Sequence, residues 1–365
     1  MSLQPFESKE IERAYAWLRE YWRRPIDPEY HRVSTVQEAL SILGAYGRRA
    51  RILAGGIDFL GLMKSGIESP EALVNIKPVK ALEHITLSRD SITIGALTRI
   101  RDLERSPIIE RQYPILSEAA RGIGSPHVRN MATLAGNICQ ETRCWYFRRP
   151  WESGISYACR RKDGGGKCFA LDGENQYHGL MGKGDCVAVC PSDMATVFCA
   201  MDARIRTEAV GGGRTIQIKD FYSEYGNILN PGEMVTSVQV PRLSPGTEQR
   251  FLKFRIRKAI DFAIVSVASI IKMDRKGKVT DSRIVLGGVG YGPYVANGAS
   301  EVLAGEKITE KAAEKAADAS VSALKPLSKN AYKIPILKAL VKRAILGQGR
   351  SVRFSQGSEA PGVAR

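Results

Sequence analysis

Residues 139–190 of this 365-residue chain hold every cysteine but Cys199. Cys144, Cys159, Cys168 and Cys186 follow the spacing C-x14-C-x8-C-x17-C, with Cys139 just before them and Cys190 just after. Thiolates are soft metal ligands and nucleophiles, so four of them in one stretch suggest a metal centre. The stretch is glycine-containing and poor in Leu, Ile and Val, which leaves little apolar burial to hold it in place.

Three chemistries could organise such thiols. Disulfides fit poorly, because the cysteine count is odd and the opening segment, MSLQPFESKEIERAYAWLREYW, lacks the apolar core of a signal peptide. A cytoplasmic location is therefore expected. Structural zinc favours closely paired C-x2-4-C knuckles, and none occurs among Cys144, Cys159, Cys168 and Cys186. An iron–sulfur cluster accepts irregular spacing, because its size lets ligands come from separate loops. Arg143, Arg148, Arg149, Arg160, Arg161, Lys162 and Lys167 could offset the negative charge of a thiolate-ligated cluster. Trp145, Tyr146, Phe147, Trp151 and Phe169 could exclude water from it. The alternative without a metal is a set of free cysteines acting as small apolar residues in a solvated basic loop.

A second chemistry is suggested by glycine. Ala54-Gly55-Gly56 follows a short apolar strand, and Thr133-Leu134-Ala135-Gly136-Asn137 adds a hydroxyl and an amide. Glycine lets backbone N–H groups approach a ligand with no Cβ between, which suits a pyrophosphate. Neither element matches G-x-G-x-x-G or the P-loop pattern, so nicotinamide-Rossmann and P-loop sites are disfavoured.

These residues need elements to carry them. Residues 8–23 read as an amphipathic helix in an N-terminal extension (1–27), ended by Pro25 and Pro28. Ser34-x-x-Gln37 reads as a capping box for a helix burying Val36, Ala39, Leu40 and Leu43. Strands are expected at 51–54, 72–76 and 92–95, a helix from Thr98, and a hairpin from 203–208 and 215–218. Asp58 is placed to cap the turn that follows it. Beyond a break at 244–249, the segments 251–257, 264–273 and 282–289 read as a three-stranded antiparallel sheet, followed by helices at 308–324 and 334–346. The polar tail, 349–365, reads as flexible.

The net charge of +16 is spread along the chain without a helix-turn-helix, RNP or zinc-finger pattern, so nucleic acid is not an expected partner. No apolar run reaches membrane-spanning length. A formal zinc-binding interaction module remains the reading from a different functional class.

Taken in order, Leu53-Ala-Gly-Gly-Ile-Asp58, Ile94-Gly-Ala96, Gly124-Ser-Pro-His-Val-Arg-Asn130, Thr133-Leu-Ala-Gly-Asn137, Pro191-Ser-Asp193 and Lys253-Phe-Arg-Ile-Arg257 resemble the FAD-binding subunit of the xanthine dehydrogenase and carbon monoxide dehydrogenase family of molybdenum hydroxylases. The resemblance runs from about residue 28 to residue 348 and implies an α+β fold. A PCMH-type FAD-binding domain of two α/β lobes (28–246) would carry the insertion 139–190, and a CO dehydrogenase flavoprotein-like C-terminal domain (247–348) would follow. By position it implies FAD contacts at Ala54, Gly55, Gly56, Ile57, Asp58, Thr133, Gly136, Asn137, Asp193 and Lys253. Ala135 stands where the family usually has glycine, and Ile57 where it often has Thr or Gln.

The insertion itself is similar to that of the 4-hydroxybenzoyl-CoA reductase branch, where it carries a 4Fe–4S cluster. That resemblance implies Cys144, Cys159, Cys168 and Cys186 as ligands, with Cys190, followed by Pro191, as the alternative for the fourth. Cys139 and Cys199 would be structural, and His178 a solvated loop residue. The family further implies a large subunit with molybdopterin, a small subunit with two 2Fe–2S clusters, and assembly as a dimer of heterotrimers. In this branch the cluster would sit on a protruding loop, the basic residues around it would dock an acidic ferredoxin, and the complex would reductively dehydroxylate an aryl-CoA. The family's other activity, electron delivery to NAD+ or another acceptor, is the alternative.

Overall fold

A computed structural model of the chain describes residues 27–148, 157–163, 166–182 and 184–348. The helix at 8–23 and the tail fall outside these ranges, as do Arg149 and Trp151. The first lobe runs β1 (Glu29–Arg32), α1 (Val36–Tyr46), β2 (Ala50–Leu53), α2 (Phe59–Lys64) and β3 (Ala72–Asn75). Its three strands are parallel in the order β1-β3-β2, with Glu29 and Ala50 both opposite Ala72. Strand β1 is one residue past Pro28 and carries no apolar alternation, which is why its sequence does not announce it. Ala39, Leu40 and Leu43 of α1 are buried, as their spacing requires. The helix starts one residue later than expected. Thr35, not Ser34, is the N-cap and accepts from Glu38 N at 3.1 Å, while Glu38 Oε2 accepts from Ser34 N at 2.7 Å.

The second lobe begins with β4 (Ile85–Leu87) and β5 (Ser91–Gly95) and continues through α3 (Ile100–Arg105), α4 (Pro107–Gln112), α5 (Pro114–Arg121), α6 (Pro126–Met131) and α7 (Leu134–Ile138). The cysteine segment follows, with short turns α8 (Trp145–Arg148) and α9 (Arg160–Asp163). Then come the fully buried α10 (Asp193–Ala200), β6 (Arg204–Glu208), β7 (Thr215–Gln217), the small hairpin β8 (Tyr222–Ser223) and β9 (Gly226–Asn227), and β10 (Met234–Pro241). The main sheet is antiparallel, ordered β4-β5-β10-β6-β7. Strand β10 joins the halves of the lobe, pairing with β5 before the insertion and β6 after it. The insertion thus leaves from and returns to one continuous sheet, whose β10–β6 pairing shifts register between Val235 and Ser237.

The C-terminal domain is an antiparallel sheet of β11 (Glu248–Phe254), β12 (Val265–Met273) and β13 (Val279–Gly287), with a short edge strand β14 (Tyr294–Val295). Helices α11 (Asn297–Leu303), α12 (Glu310–Val321) and α13 (Lys333–Ile345) cover one face. Val265, Val267 and Ile271 pack with these helices, whereas Phe251, Ala268 and Ile270 join the core of the two lobes. Alternation along β12 thus sends one set of side chains to each core, the expected result of a strand buried on both faces.

Candidate functional site: a dinucleotide cavity beside a four-thiol pocket

The glycine motifs meet at one cavity of about 650 Å3, within the range of cofactor sites. Its walls include Ala54, Gly55, Gly56, Ile57 and Asp58 from the β2–α2 turn, and Thr133, Ala135, Gly136 and Asn137 from α7 and its cap. Asp193 and Lys253 complete the set from the opposite side. All ten residues expected to contact FAD are therefore brought together.

Local hydrogen bonding explains the arrangement. Leu134 N donates to Thr98 O (2.8 Å) and Ala135 N to Ala96 O (3.0 Å), lashing the second motif to the turn after β5. Thr133 Oγ1 accepts from Gly136 N at 3.2 Å and caps α7. Asn137 Oδ1 accepts from Ser192 Oγ at 2.7 Å, which ties this motif to Pro191-Ser192-Asp193 across the whole insertion. Lys253 Nζ lies 2.6 Å from Asp193 Oδ2 and 3.1 Å from Gly122 O, both side chains being buried. The ion pair sets β11 of the C-terminal domain against α10 of the second lobe. At Gly55, a Cβ would meet Met131 O at 2.1 Å, so only glycine permits the turn to lie this close to the second motif. A narrow glycine-walled cleft with polar groups at its far end fits a dinucleotide.

Asp58 does not cap α2. Its carboxylate accepts from Glu141 N (2.8 Å), Arg148 Nη2 (2.7 Å) and Arg143 Nη1, all in the cysteine segment. Burial alone would raise the Asp58 carboxyl, but these guanidiniums and the amide hold it below its ordinary value. Ile57 is about half exposed and offers no hydrogen bond, as expected from its side chain.

Behind this wall, Cys144, Cys159, Cys168 and Cys186 line a second, small cavity together with Phe147, Arg160, Arg161, Phe169 and His178. Cys190 lies apart, in a cleft with Tyr222 and Tyr291, where burial pushes its thiol up to about 11. The geometry thus groups Cys186, not Cys190, with the other three. Cys139 borders the dinucleotide cavity and Cys199 packs in α10; burial pushes both thiols up to about 12.

The four-thiol pocket already holds donors for anionic sulfur. Burial pushes the Cys144 thiol up to about 12, against the backbone N–H groups of Phe147 and Tyr146 that favour its thiolate. Cys186 is likewise raised by burial, with the Ala188 N–H and Arg161 pulling the other way. Such groups are poor acids alone and good ligands to a metal that displaces the proton. Among the described residues, no three His, Cys, Asp or Glu side chains close on a point as a single ion demands. Thiols spread around a cavity fit a multi-iron group better, because it takes one ligand at each corner.

Two expectations are overturned here. His178 is not a solvated loop residue: it is 3% exposed, with Nε2 3.1 Å from Cys144 Sγ. Nor does the described stretch 175–180 of the segment protrude. Lys333, wholly buried, donates to His178 O (2.8 Å), Gly288 O (3.0 Å) and Tyr177 O (3.2 Å). Asn330 Nδ2 donates to Gly179 O (2.8 Å), and Leu180 pairs with Val289 and Lys325 through its backbone. The segment is stitched onto the C-terminal domain.

Of the basic residues, Arg143, Arg148 and Arg161 are partly or wholly buried struts, whereas Arg160 and Lys167 are exposed. Arg143 and Arg148 are committed to Asp58, Arg161 to Glu141 Oε2 (2.7 Å) and Glu224 O (2.8 Å), and Arg160 to Asp185 and Gly166 O. Sequence reasoning missed Glu141 and His178, which carry no motif. The opposite charges at Asp58 and Arg143–Arg148 were the available signal for the join between cavities.

Comparison with known proteins agrees with this geometry. Residues 24–243 match the FAD-binding domain in molybdopterin dehydrogenase, and residues 250–347 match the CO dehydrogenase flavoprotein C-terminal domain. The aldehyde oxidoreductase FAD-binding subunit PaoB of Escherichia coli is 33% identical over 88% of this chain and 98% of its own length. The carbon monoxide dehydrogenase medium chain of Hydrogenophaga pseudoflava is 29% identical over 87% of this chain and 95% of its own. A solved structure of carbon monoxide dehydrogenase from that organism superposes with a TM-score of 0.70 at 28% identity, covering 87% of this chain and 96% of the other. The chain therefore belongs to the FAD-binding subunits of the xanthine and carbon monoxide dehydrogenase family of molybdenum hydroxylases. It is an oxidoreductase subunit that binds FAD.

Proposed function

We propose that this chain is a two-cofactor relay, binding FAD in the larger cavity and a 4Fe–4S cluster on Cys144, Cys159, Cys168 and Cys186. The observation that carries this reading is the convergence of four thiols on one pocket, with Leu62 of the glycine-lined cavity packed directly against its Phe147 and Cys159. When bound, flavin handles electrons in pairs or singly and a cluster handles them singly. The residues' part is positional. Gly55 and Gly56 admit the pyrophosphate, the Lys253–Asp193 pair fixes the far wall, and the Asp58–Arg143–Arg148 network holds the two pockets together. Aromatic side chains of Tyr146, Phe147 and Phe169 keep water from the thiols.

The substrate would be transformed on a molybdopterin-bearing large subunit, with a 2Fe–2S small subunit between, in a dimer of heterotrimers. The aldehyde oxidoreductase relative supports oxidation of an aldehyde, with electrons leaving through this chain. Resemblance of the insertion to the 4-hydroxybenzoyl-CoA reductase branch supports the second reading, aryl-CoA dehydroxylation with ferredoxin as donor. The test is anaerobic purification with flavin, iron and acid-labile sulfide measured on this chain. One flavin and about four irons per chain are expected; zinc without sulfide would overturn the relay reading in favour of a zinc module. Assays of the whole complex with aldehydes, and with aryl-CoA plus reduced ferredoxin, then separate the two directions.

A further inference from the structure

His178 is the one histidine lining the four-thiol pocket among the described residues. Its Nε2 lies 3.1 Å from Cys144 Sγ, and its buried Nδ1 has no partner. A thiolate only accepts hydrogen bonds, so with Cys144 ionised the ring hydrogen must sit on Nε2. Trp145 packs edge-on against the ring at 5.6 Å, and Asn330 and Lys333 both hold the His178 carbonyl, fixing the backbone that carries it.

We propose that His178 is a positioning residue for the iron–sulfur group, donating its Nε2–H to the Cys144 thiolate and thereby raising the group's reduction potential. The inference rests on the relay reading above. Its physical basis is that a hydrogen bond to a cluster sulfur favours the more negative, reduced state. No bond is made or broken, and one electron is added without a proton.

The experiment is an EPR-monitored redox titration of the intact complex carrying wild-type, His178→Leu or His178→Gln chains. The Leu variant is expected to titrate at lower potential, the Gln variant, which keeps an N–H near Nε2, close to wild type, and the flavin couple to stay in place. A cluster retained at unchanged potential in the Leu variant overturns the inference while leaving the relay reading intact. Absence of iron and sulfide from the wild-type chain removes both. Should the Leu variant fail to assemble, wild-type complex labelled with 15N-histidine decides the matter by pulsed EPR. A weak 15N coupling supports a hydrogen bond, whereas a strong coupling of a directly ligated nitrogen, or none, overturns it.

Discussion

Gly55 and Lys253 show how narrowly single side chains are constrained here. A Cβ at Gly55 has no room against Met131 O, and the obstacle is backbone, which cannot rotate aside. Gly55→Ala is therefore expected to yield folded protein that has lost most of its flavin, read as the ratio of flavin absorbance to protein. Lys253 and Asp193 are a different case, since both are buried and each is the other's counter-charge. Lys253→Met strands the carboxylate and should cost about 3–5 kcal/mol of stability, measured by urea denaturation. The double variant Lys253→Met with Asp193→Leu should recover much of that loss, because removing both charges removes the desolvation penalty.

Among elements, the cysteine segment depends on α13 far more than its composition suggests. Lys333 donates to three carbonyls, two of them in the segment, and shares the His178 carbonyl with Asn330. Lys333→Met removes that donor from Tyr177 O and Gly288 O, at about 1–3 kcal/mol for each such group left unpaired. Hydrogen exchange of amides in 176–182 should then quicken while those of β12 stay protected. Burial also pushes the Lys333 amine down to about 7. Its folded value lies below the unfolded one, so any penalty for burying the charge applies below that pH and eases as pH rises toward the ordinary lysine range. Much of this frame is legible in the sequence: the β2 turn, the β6–β7 hairpin and the three long C-terminal strands follow from apolar alternation bounded by glycine and proline. Strands β1 and β10 are not, because the first is polar and the second is defined by partners far away in sequence. Thr35 displaces Ser34 as cap for an equally local reason: both hydroxyls are adequate, and the position of Glu38 decides between them.

Across the molecule, the larger surprise lies between the two pockets. Each was readable alone, the first from glycines and the second from thiols. Their contact was not, because Asp58 has two plausible uses, capping α2 or pairing with arginines some eighty residues on, and only packing selects the second. The Asp58 carboxyl is held below its ordinary value, so its stabilising pairs should be at full strength above the ordinary carboxylate range and be lost as pH falls below it. The protection of amides 141–148 against exchange, corrected for their intrinsic rates, should be high above that range and fall beneath it. Asp58→Asn should show the low protection at neutral pH, with iron content falling together with flavin; retention of both would argue that the pockets are independent.

The platform under His178 and Asn175 is drawn from residues 328–333, some 152–155 positions further along the chain. A ribosome delivers that platform well after the thiols. While the nascent polypeptide still lacks it, the thiols have no floor on which to settle, whatever iron-loading machinery is at hand. Maturation of this subunit should therefore be post-translational, and release truncated before residue 325 should give chains that gather FAD motifs yet never acquire iron.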